Sequence, residues 1–134
     1  MLTYNFPGMA KENVKSYVEL ILRDIRKELS LKEECLLHYS LQLSIWEILV
    51  NIIDHNPEAA AICHTHIAIR WTDSDIILEI TNKGSGFDWR KYLTTGPPSL
   101  AQERGRGLYI IQSISKHFTF DENGESANIT FPRK

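Results

Sequence analysis

The spacing of hydrophobic residues in the first part of the chain changes from the period of a strand to that of a helix. Apolar and polar residues alternate over residues 2–6, which predicts a short edge strand. Apolar residues then recur three and four positions apart over residues 10–29, which predicts a first helix. A second, longer helix is predicted to reach about His55, with Ser30 and Glu33 as a capping box at its start.

The second part of the chain returns to the alternation of strands. Apolar residues alternate over residues 62–71 and again over 76–80, which predicts two antiparallel strands joined as a hairpin. Residues 83–104 show no period and contain glycines and prolines, which predicts a long loop. A short helix over residues 108–114 and a final hairpin around Asn123-Gly124 complete the predicted order.

This order of elements predicts an α+β fold. Helices that come in blocks beside antiparallel hairpins are typical of a two-layer α/β sandwich. The regular strand–helix alternation of a doubly wound nucleotide-binding fold is absent from the pattern. A length of 134 residues suits one domain, and we expect residues 1–134 to form it.

Composition and charge limit the compartments and the partners that we expect for this protein. Lysine and arginine number 15 against 17 aspartates and glutamates, so the net charge of −2 gives no general attraction to nucleic acid or an anionic membrane. No unbroken apolar run is long enough to span a bilayer, and no signal-peptide pattern opens the chain. Cys35 and Cys63 have no paired spacing. We therefore expect a cytoplasmic protein that contacts neither nucleic acid nor membrane directly.

A polar stripe formed by Glu47, Asn51 and His55 follows the predicted second helix. Because these residues are four positions apart, they stay on one side of the helix and span about 12 Å, a length that suits a polyphosphate with its metal ion. The carbonyl oxygen of Asn51 is a suitable ligand for Mg²⁺, and the carboxylate of Glu47 could act as a general base. The alternative is that the stripe is the solvated face of an amphipathic helix.

Two glycine motifs lie at the ends of the long predicted loop. Gly84 and Gly86 follow the strand that ends near Asn82, and Gly105 and Gly107 precede the last helix. Glycine lets the backbone approach a ligand closely, and the N-terminus of a helix attracts phosphate. Taken singly, each motif is equally explained as a turn or a helix cap.

Taken in order, these motifs resemble the histidine-kinase-like ATPase superfamily with its Bergerat nucleotide fold. The likeness lies in the stretch from Glu47 to His55, in Gly84-Ser-Gly-Phe-Asp88 and in Arg104-Gly-Arg-Gly-Leu-Tyr-Ile-Ile111. Within the superfamily, the chain is most similar to the bacterial anti-sigma-factor serine/threonine kinases. The resemblance implies a two-layer sandwich in which helices cover one face of a mixed, mainly antiparallel sheet.

The resemblance also implies ATP and Mg²⁺ as cofactors and a role for individual residues. Glu47 would be the catalytic base, and Asn51 would bind the Mg²⁺ that bridges the phosphates. Residues from about 88 to 104 would form the ATP lid. The other nucleotide-binding positions that the resemblance implies are His55, Asn82, Gly84, Gly86, Arg104, Gly105, Arg106, Gly107 and Leu108.

Asn82 departs from the family pattern, which has an aspartate here that accepts a hydrogen bond from the adenine amino group. The side-chain oxygen of asparagine can accept the same bond, but it carries no charge, and the NH₂ group beside it needs a partner. Since a charge-assisted hydrogen bond is roughly twice as strong as a neutral one, we expect weaker ATP binding and a looser preference for adenine.

Two functions of different classes are consistent with this sequence. The first is an ATP-dependent serine/threonine kinase of bacterial partner switching, which binds a sigma factor or similar client and phosphorylates a small antagonist protein. Glu47 and Asn51 favour it. The second is a docking module on the same fold with weak or absent nucleotide binding, which Asn82 favours. A small metabolic ATPase is a third alternative, although the sequence shows no second substrate pocket. The sequence leaves the oligomeric state open, and a homodimer is among the possibilities.

Overall fold

The computed structural model describes residues 1–33, 35–55, 57–83 and 106–133. The described elements follow the predicted order, with one additional short helix after the second long one. Pro57 begins this helix, and a proline is well suited to the first helical position, where its missing N–H costs no hydrogen bond. In chain order the elements are β1 Leu2–Phe6, α1 Lys11–Leu29, α2 Leu36–His55, α3 Pro57–Ile62, β2 Thr65–Trp71, β3 Asp75–Asn82, α4 Arg106–Ile114, β4 His117–Phe120 and β5 Ser126–Pro132.

The five described strands form one sheet in the order β1-β2-β3-β5-β4. Every pairing between them is antiparallel, where a mixed, mainly antiparallel sheet was expected. The predicted edge strand is confirmed, because β1 pairs with β2 alone and lies at one end of the order. The α+β class is therefore confirmed, with a sheet more uniform than predicted.

One face of the sheet is buried beneath the helices. Alternate residues along each central strand point to this face, and the paired residues Ile69, Leu78 and Ile129 form one fully buried row across three strands. Residues between them, such as Glu79, are half-buried on the opposite face. Burial of one face only explains the clean alternation in the sequence, and it fixes the strand register, since a one-residue slip would turn the apolar set toward water.

Helix α2 is the central helix of the covering layer and packs against α1, α3 and α4. By length and composition it would be able to cross a membrane, although polar residues interrupt its apolar sequence. Half of the apolar stretch is buried within the protein, however, and the core helix of a folded domain meets the same test. Its burial between a sheet and flanking helices explains why so many of its positions are apolar.

The start of α2 differs from the prediction. Ser30 has a left-handed backbone, with φ 52° and ψ 41°, and is the C-cap of α1. The capping box of Ser30 and Glu33 is therefore wrong, because an N-cap residue needs an extended backbone. Helix α2 begins later, at Leu36, and the thiol of Cys35 accepts the N–H of His38 at 3.4 Å.

Candidate functional site

The polar stripe lies on the last three turns of α2, where Glu47, Asn51 and His55 are each half-buried. The side-chain NH₂ of Asn51 donates to the backbone carbonyl oxygen of Glu47 at 2.7 Å. This bond occupies the NH₂ group of Asn51 within the helix, so the side-chain oxygen is the atom that can bind a ligand. No group of three or more histidine, cysteine or acidic side chains that could hold a metal occurs among the described residues. A Mg²⁺ held through Asn51 would thus need phosphate and water oxygens for its other ligands.

A small pocket lies beside Asn51, between α2 and the sheet. Its cavity volume is about 10 Å³, which is room for one water molecule. A nucleobase needs much more space, so these side chains would have to move apart to admit one. The residues that line the pocket are Ile48, Asn51 and Ile52 of α2, Ile80 of β3, Phe120 of β4, Gly124 and Glu125 of the β4–β5 turn, and Ala127 of β5.

Asn82 ends strand β3, and its side chain is completely buried. Its NH₂ group donates to the hydroxyl oxygen of Thr65 at 2.8 Å, and its backbone N–H donates to the carbonyl oxygen of Glu125 at 2.8 Å. Thr65 lies directly opposite on β2 and is also completely buried. The NH₂ group that distinguishes asparagine from aspartate therefore has a buried partner.

Sequence reasoning missed Thr65 as a member of this site, although a signal for it was present. In an antiparallel hairpin, residues at equal distances from the turn face each other across the strands. The predicted strands leave residues 72–75 as the turn, so Trp71 faces Ile76, and counting six residues outward from that pair brings Thr65 opposite Asn82, which is the register observed. The predicted hairpin was therefore enough to find this partner.

Glu47 and Gly107 belong to separate sequence motifs, and the fold brings them into contact. Gly107 is the second residue of α4, and a Cβ atom placed on it would overlap with the Oε2 and Cδ atoms of Glu47. The same Cβ atom would lie 2.7 Å from Cγ of Glu47. The carboxylate thus lies against the first turn of α4, where the backbone N–H groups of a helix have no partner within the helix.

The surroundings of Glu47 favour its neutral form. Burial raises the pKa of this carboxyl group above its usual value, and the negative charge of Asp54 raises it further. Asp54 itself pairs with Lys11, the first residue of α1, at 3.0 Å between Nζ and Oδ1. A carboxylate with a raised pKa is a stronger base than an exposed carboxylate, so it is better suited to accept a proton.

The remaining predicted site residues are placed only in part. Leu108 is buried in the hydrophobic core, so only its backbone could touch a nucleotide. Arg106 is the first residue of α4. The predictions for Gly84, Gly86, Arg104, Gly105, the side chain of Arg106 and the lid at about residues 88–104 lie outside the described residues.

A comparison with known protein families gives one match that covers most of the chain. The model of the histidine kinase-like ATPase domain matches residues 10–131. This range contains Glu47, Asn51, Asn82 and Gly107. No curated protein matches the chain at a significant level.

Proposed function

Because the chain belongs to the family of histidine kinase-like ATPase domains, we propose that it binds Mg-ATP where α2, α4 and the end of β3 meet. We propose further that it transfers a phosphoryl group to a serine or threonine hydroxyl of a partner protein. The observation that carries this proposal is the contact of Glu47 with Gly107, which joins a carboxylate and a helix N-terminus in one place. Asn51, one turn from Glu47 on α2, adds an oxygen ligand for the metal.

Each part of this site has a chemical task in the proposed reaction. Bound Mg-ATP supplies the phosphoryl group and the charge of the metal. The oxygen of Asn51 would hold Mg²⁺, while the N–H groups at the start of α4 favour the negative phosphates. An Oε atom of Glu47 would accept the proton of the attacking hydroxyl, and its raised pKa suits that task near neutral pH.

A protein partner is supported by apolar side chains on the outer surface of the helical layer. Leu36, Tyr39 and Trp46 of α2 are 79%, 54% and 39% exposed, and Ile110 of α4 is 42% exposed. Aromatic side chains on a surface are enriched where proteins meet. These side chains support contact with a protein partner. From the sequence resemblance we propose that this partner is a sigma factor or similar client, and that its antagonist is the protein phosphorylated in partner switching.

A second candidate is a docking module on the same fold with weak or absent nucleotide binding. Two observations favour it. The side chain of Asn82 carries no charge and donates its NH₂ group to Thr65, and the pocket beside Asn51 has room for only one water molecule.

Isothermal calorimetry with Mg-ATP separates the two candidates. For the kinase we expect binding with a Kd of tens of micromolar or weaker, roughly −6 kcal/mol, because the neutral Asn82 replaces a charged acceptor. The Asn51→Ala variant should lose most of the heat. A wild-type protein that gives no heat at millimolar Mg-ATP would favour the docking module.

Phosphotransfer from labelled ATP to candidate antagonist proteins tests the role of Glu47. Glu47→Ala should abolish transfer and leave ATP affinity nearly unchanged, because a general base acts mainly in the transition state. Glu79→Ala, which removes a half-buried carboxylate from the opposite face of the sheet, is the matched control and should transfer normally. Equal loss of binding and transfer in Glu47→Ala would instead assign Glu47 a structural role.

A further inference from the structure

We propose that Gly107 is a positioning residue for Glu47. Its missing side chain leaves the space that the Glu47 carboxylate fills, so the first turn of α4 determines where that carboxylate can lie. The catalytic meaning of this arrangement rests on the proposed phosphotransfer, whereas the packing relation itself does not.

The backbone of Gly107 gives no conformational reason for a glycine. Gly107 lies within the regular helix α4, whereas Gly124 is the described glycine with a left-handed backbone, at φ 70°. In the first turn of a regular helix, alanine adopts the same backbone and is the better helix former. The reason for glycine here is therefore found in its surroundings.

The neighbour that a side chain at residue 107 would meet is the Glu47 side chain. A Cβ atom would overlap with its Oε2 and Cδ atoms and would lie 2.7 Å from its Cγ atom. The direction of a Cβ atom is set by the helix backbone, so an alanine at 107 has no rotamer that avoids the contact. Glu47 has rotatable bonds and would turn away, which moves its carboxylate and preserves the fold.

Gly8 shows the opposite case in the same protein. A Cβ atom there would overlap with the backbone carbonyl oxygen of Ala61, in helix α3. Backbone atoms within a helix cannot rotate away, so substitution of Gly8 strains the fold itself. The Gly107 contact differs because all of its nearest atoms belong to one flexible side chain.

The test uses Gly107→Ala, with Gln112→Ala as the control on the exposed side of the same helix. We expect Gly107→Ala to fold with a urea midpoint close to that of the wild type. We expect its kcat for phosphotransfer to fall about 10- to 100-fold while its KM for ATP stays within about threefold, because displacement of a base by about 1 Å costs that much. A kcat equal to that of Gln112→Ala would overturn the proposal.

A compensating variant gives a readout that does not depend on activity. Glu47→Ala removes the Cγ, Cδ and Oε2 atoms, which are the three nearest atoms that a Cβ atom at residue 107 would meet. In wild type the better helix propensity of alanine offsets the displacement of Glu47, so Gly107→Ala leaves the urea midpoint nearly unchanged. In the Glu47→Ala background there is nothing to displace, and Gly107→Ala should raise the midpoint. Additive midpoints would overturn the packing relation.

These arms distinguish failure of the inference from failure of the proposed function. If the wild-type protein transfers no phosphoryl group, the proposed function is wrong, and the comparison of single and double variants in urea unfolding alone decides the role of Gly107. If the wild type is active and the midpoint shifts of the two single variants add up to that of the double variant, the proposed function survives and the inference is wrong.

Discussion

At the scale of single residues, the surroundings of Glu47 set both its pKa and its effect on stability. Its carboxyl group is half-buried against α4 and lies within the field of Asp54, and both effects raise its pKa. The ionised form is therefore less favourable in the folded protein than in the unfolded chain. A group poised to accept a proton in this way is a source of instability at neutral pH.

We expect Glu47→Gln to raise the free energy of unfolding at pH 7 in the absence of nucleotide and metal. Since the folded-state pKa is raised, the wild type carries the cost of an ionised Glu47 above that pKa and loses it as the pH falls toward the usual value of 4.5. Urea unfolding at pH 7 and pH 4.5 should thus show the gain of the variant shrinking at the lower pH. A variant that is less stable at pH 7 would contradict this assignment.

The buried partner of Asn82 determines how an aspartate at this position would be accommodated. Its NH₂ group is hydrogen-bonded to the hydroxyl of Thr65, and a threonine hydroxyl can either donate or accept. An aspartate at residue 82 would keep this bond by accepting from Thr65. The hydrogen bond is therefore compatible with either side chain, and the difference between them lies in charge.

We expect Asn82→Asp to bind Mg-ATP about fivefold more tightly, because a charged acceptor strengthens its hydrogen bond by about 1 kcal/mol. The nucleotide-free variant should be less stable, since its carboxylate is buried.

Thr65→Val is the companion variant. It should lose about 1–3 kcal/mol of unfolding free energy, because the NH₂ group of Asn82 loses a buried acceptor. Calorimetry and urea unfolding measure both effects, and unchanged or weaker affinity in Asn82→Asp would refute the proposed adenine contact.

At the scale of elements, the start of α2 is held by a buried histidine. His38 is 6% exposed, and its Nε2 lies 3.0 Å from Nη1 of Arg26 on α1. Because a guanidinium group only donates hydrogen bonds, Nε2 must accept and the ring must be neutral. Burial lowers the pKa of His38, the positive charge of Arg26 lowers it further, and Glu33 opposes the shift.

We expect the free energy of unfolding to fall as the pH drops below the usual histidine value of 6.5 toward the lowered pKa of His38. The unfolded chain binds the extra proton in that range, so the contribution of His38 is complete only above pH 6.5. His38→Gln keeps an acceptor for Arg26 without titrating, and it should flatten the profile between pH 5 and 7. His66→Gln, at an exposed position of β2, is the control for the loss of one histidine. A profile equally steep in His38→Gln would assign the dependence to other groups.

At the scale of the whole molecule, the candidate site exists only when distant parts of the chain are assembled. Glu47 and Asn51 come from the central helix, Thr65 and Asn82 from two paired strands, and Gly107 from a helix that follows the long predicted loop. Glu47 meets Gly107 because α2 packs against α4, and Thr65 meets Asn82 because β2 pairs with β3. A ligand that needs all of them can bind the folded state only.

Mg-ATP should therefore raise the unfolding temperature of the protein. A ligand that binds only the native state adds about 2.7 kcal/mol of stability at a hundredfold excess over its Kd. Thermal unfolding should show a midpoint that rises with Mg-ATP concentration, while the Asn51→Ala variant responds little. The same rise in both proteins would place the nucleotide away from Asn51.

Much of the fold was predictable because it follows from local periodicity. The alternation over residues 2–6 predicted β1 at the sheet edge, and the glycine after Asn123 predicted the last turn, where Gly124 has φ 70°. The start of α2 was not predictable in the same way. Ser30 and Glu33 match a capping box, but a local pattern cannot show whether Ser30 begins one helix or ends another.

Spacing along the chain was enough to identify the groups that this protein can use: a carboxylate and an amide one turn apart on a helix, an uncharged side chain at the end of a strand, and a glycine beside the start of a helix. Spacing along a helix or across a hairpin is set by backbone geometry, so these local relations, including that of Thr65 to Asn82, were within reach of the sequence. The contact of Glu47 with Gly107, by contrast, arises from the packing of the folded chain and follows from no local pattern. That contact depends on how α4 packs against α2, and helix packing is set by the shapes of many side chains at once rather than by any repeat in the sequence.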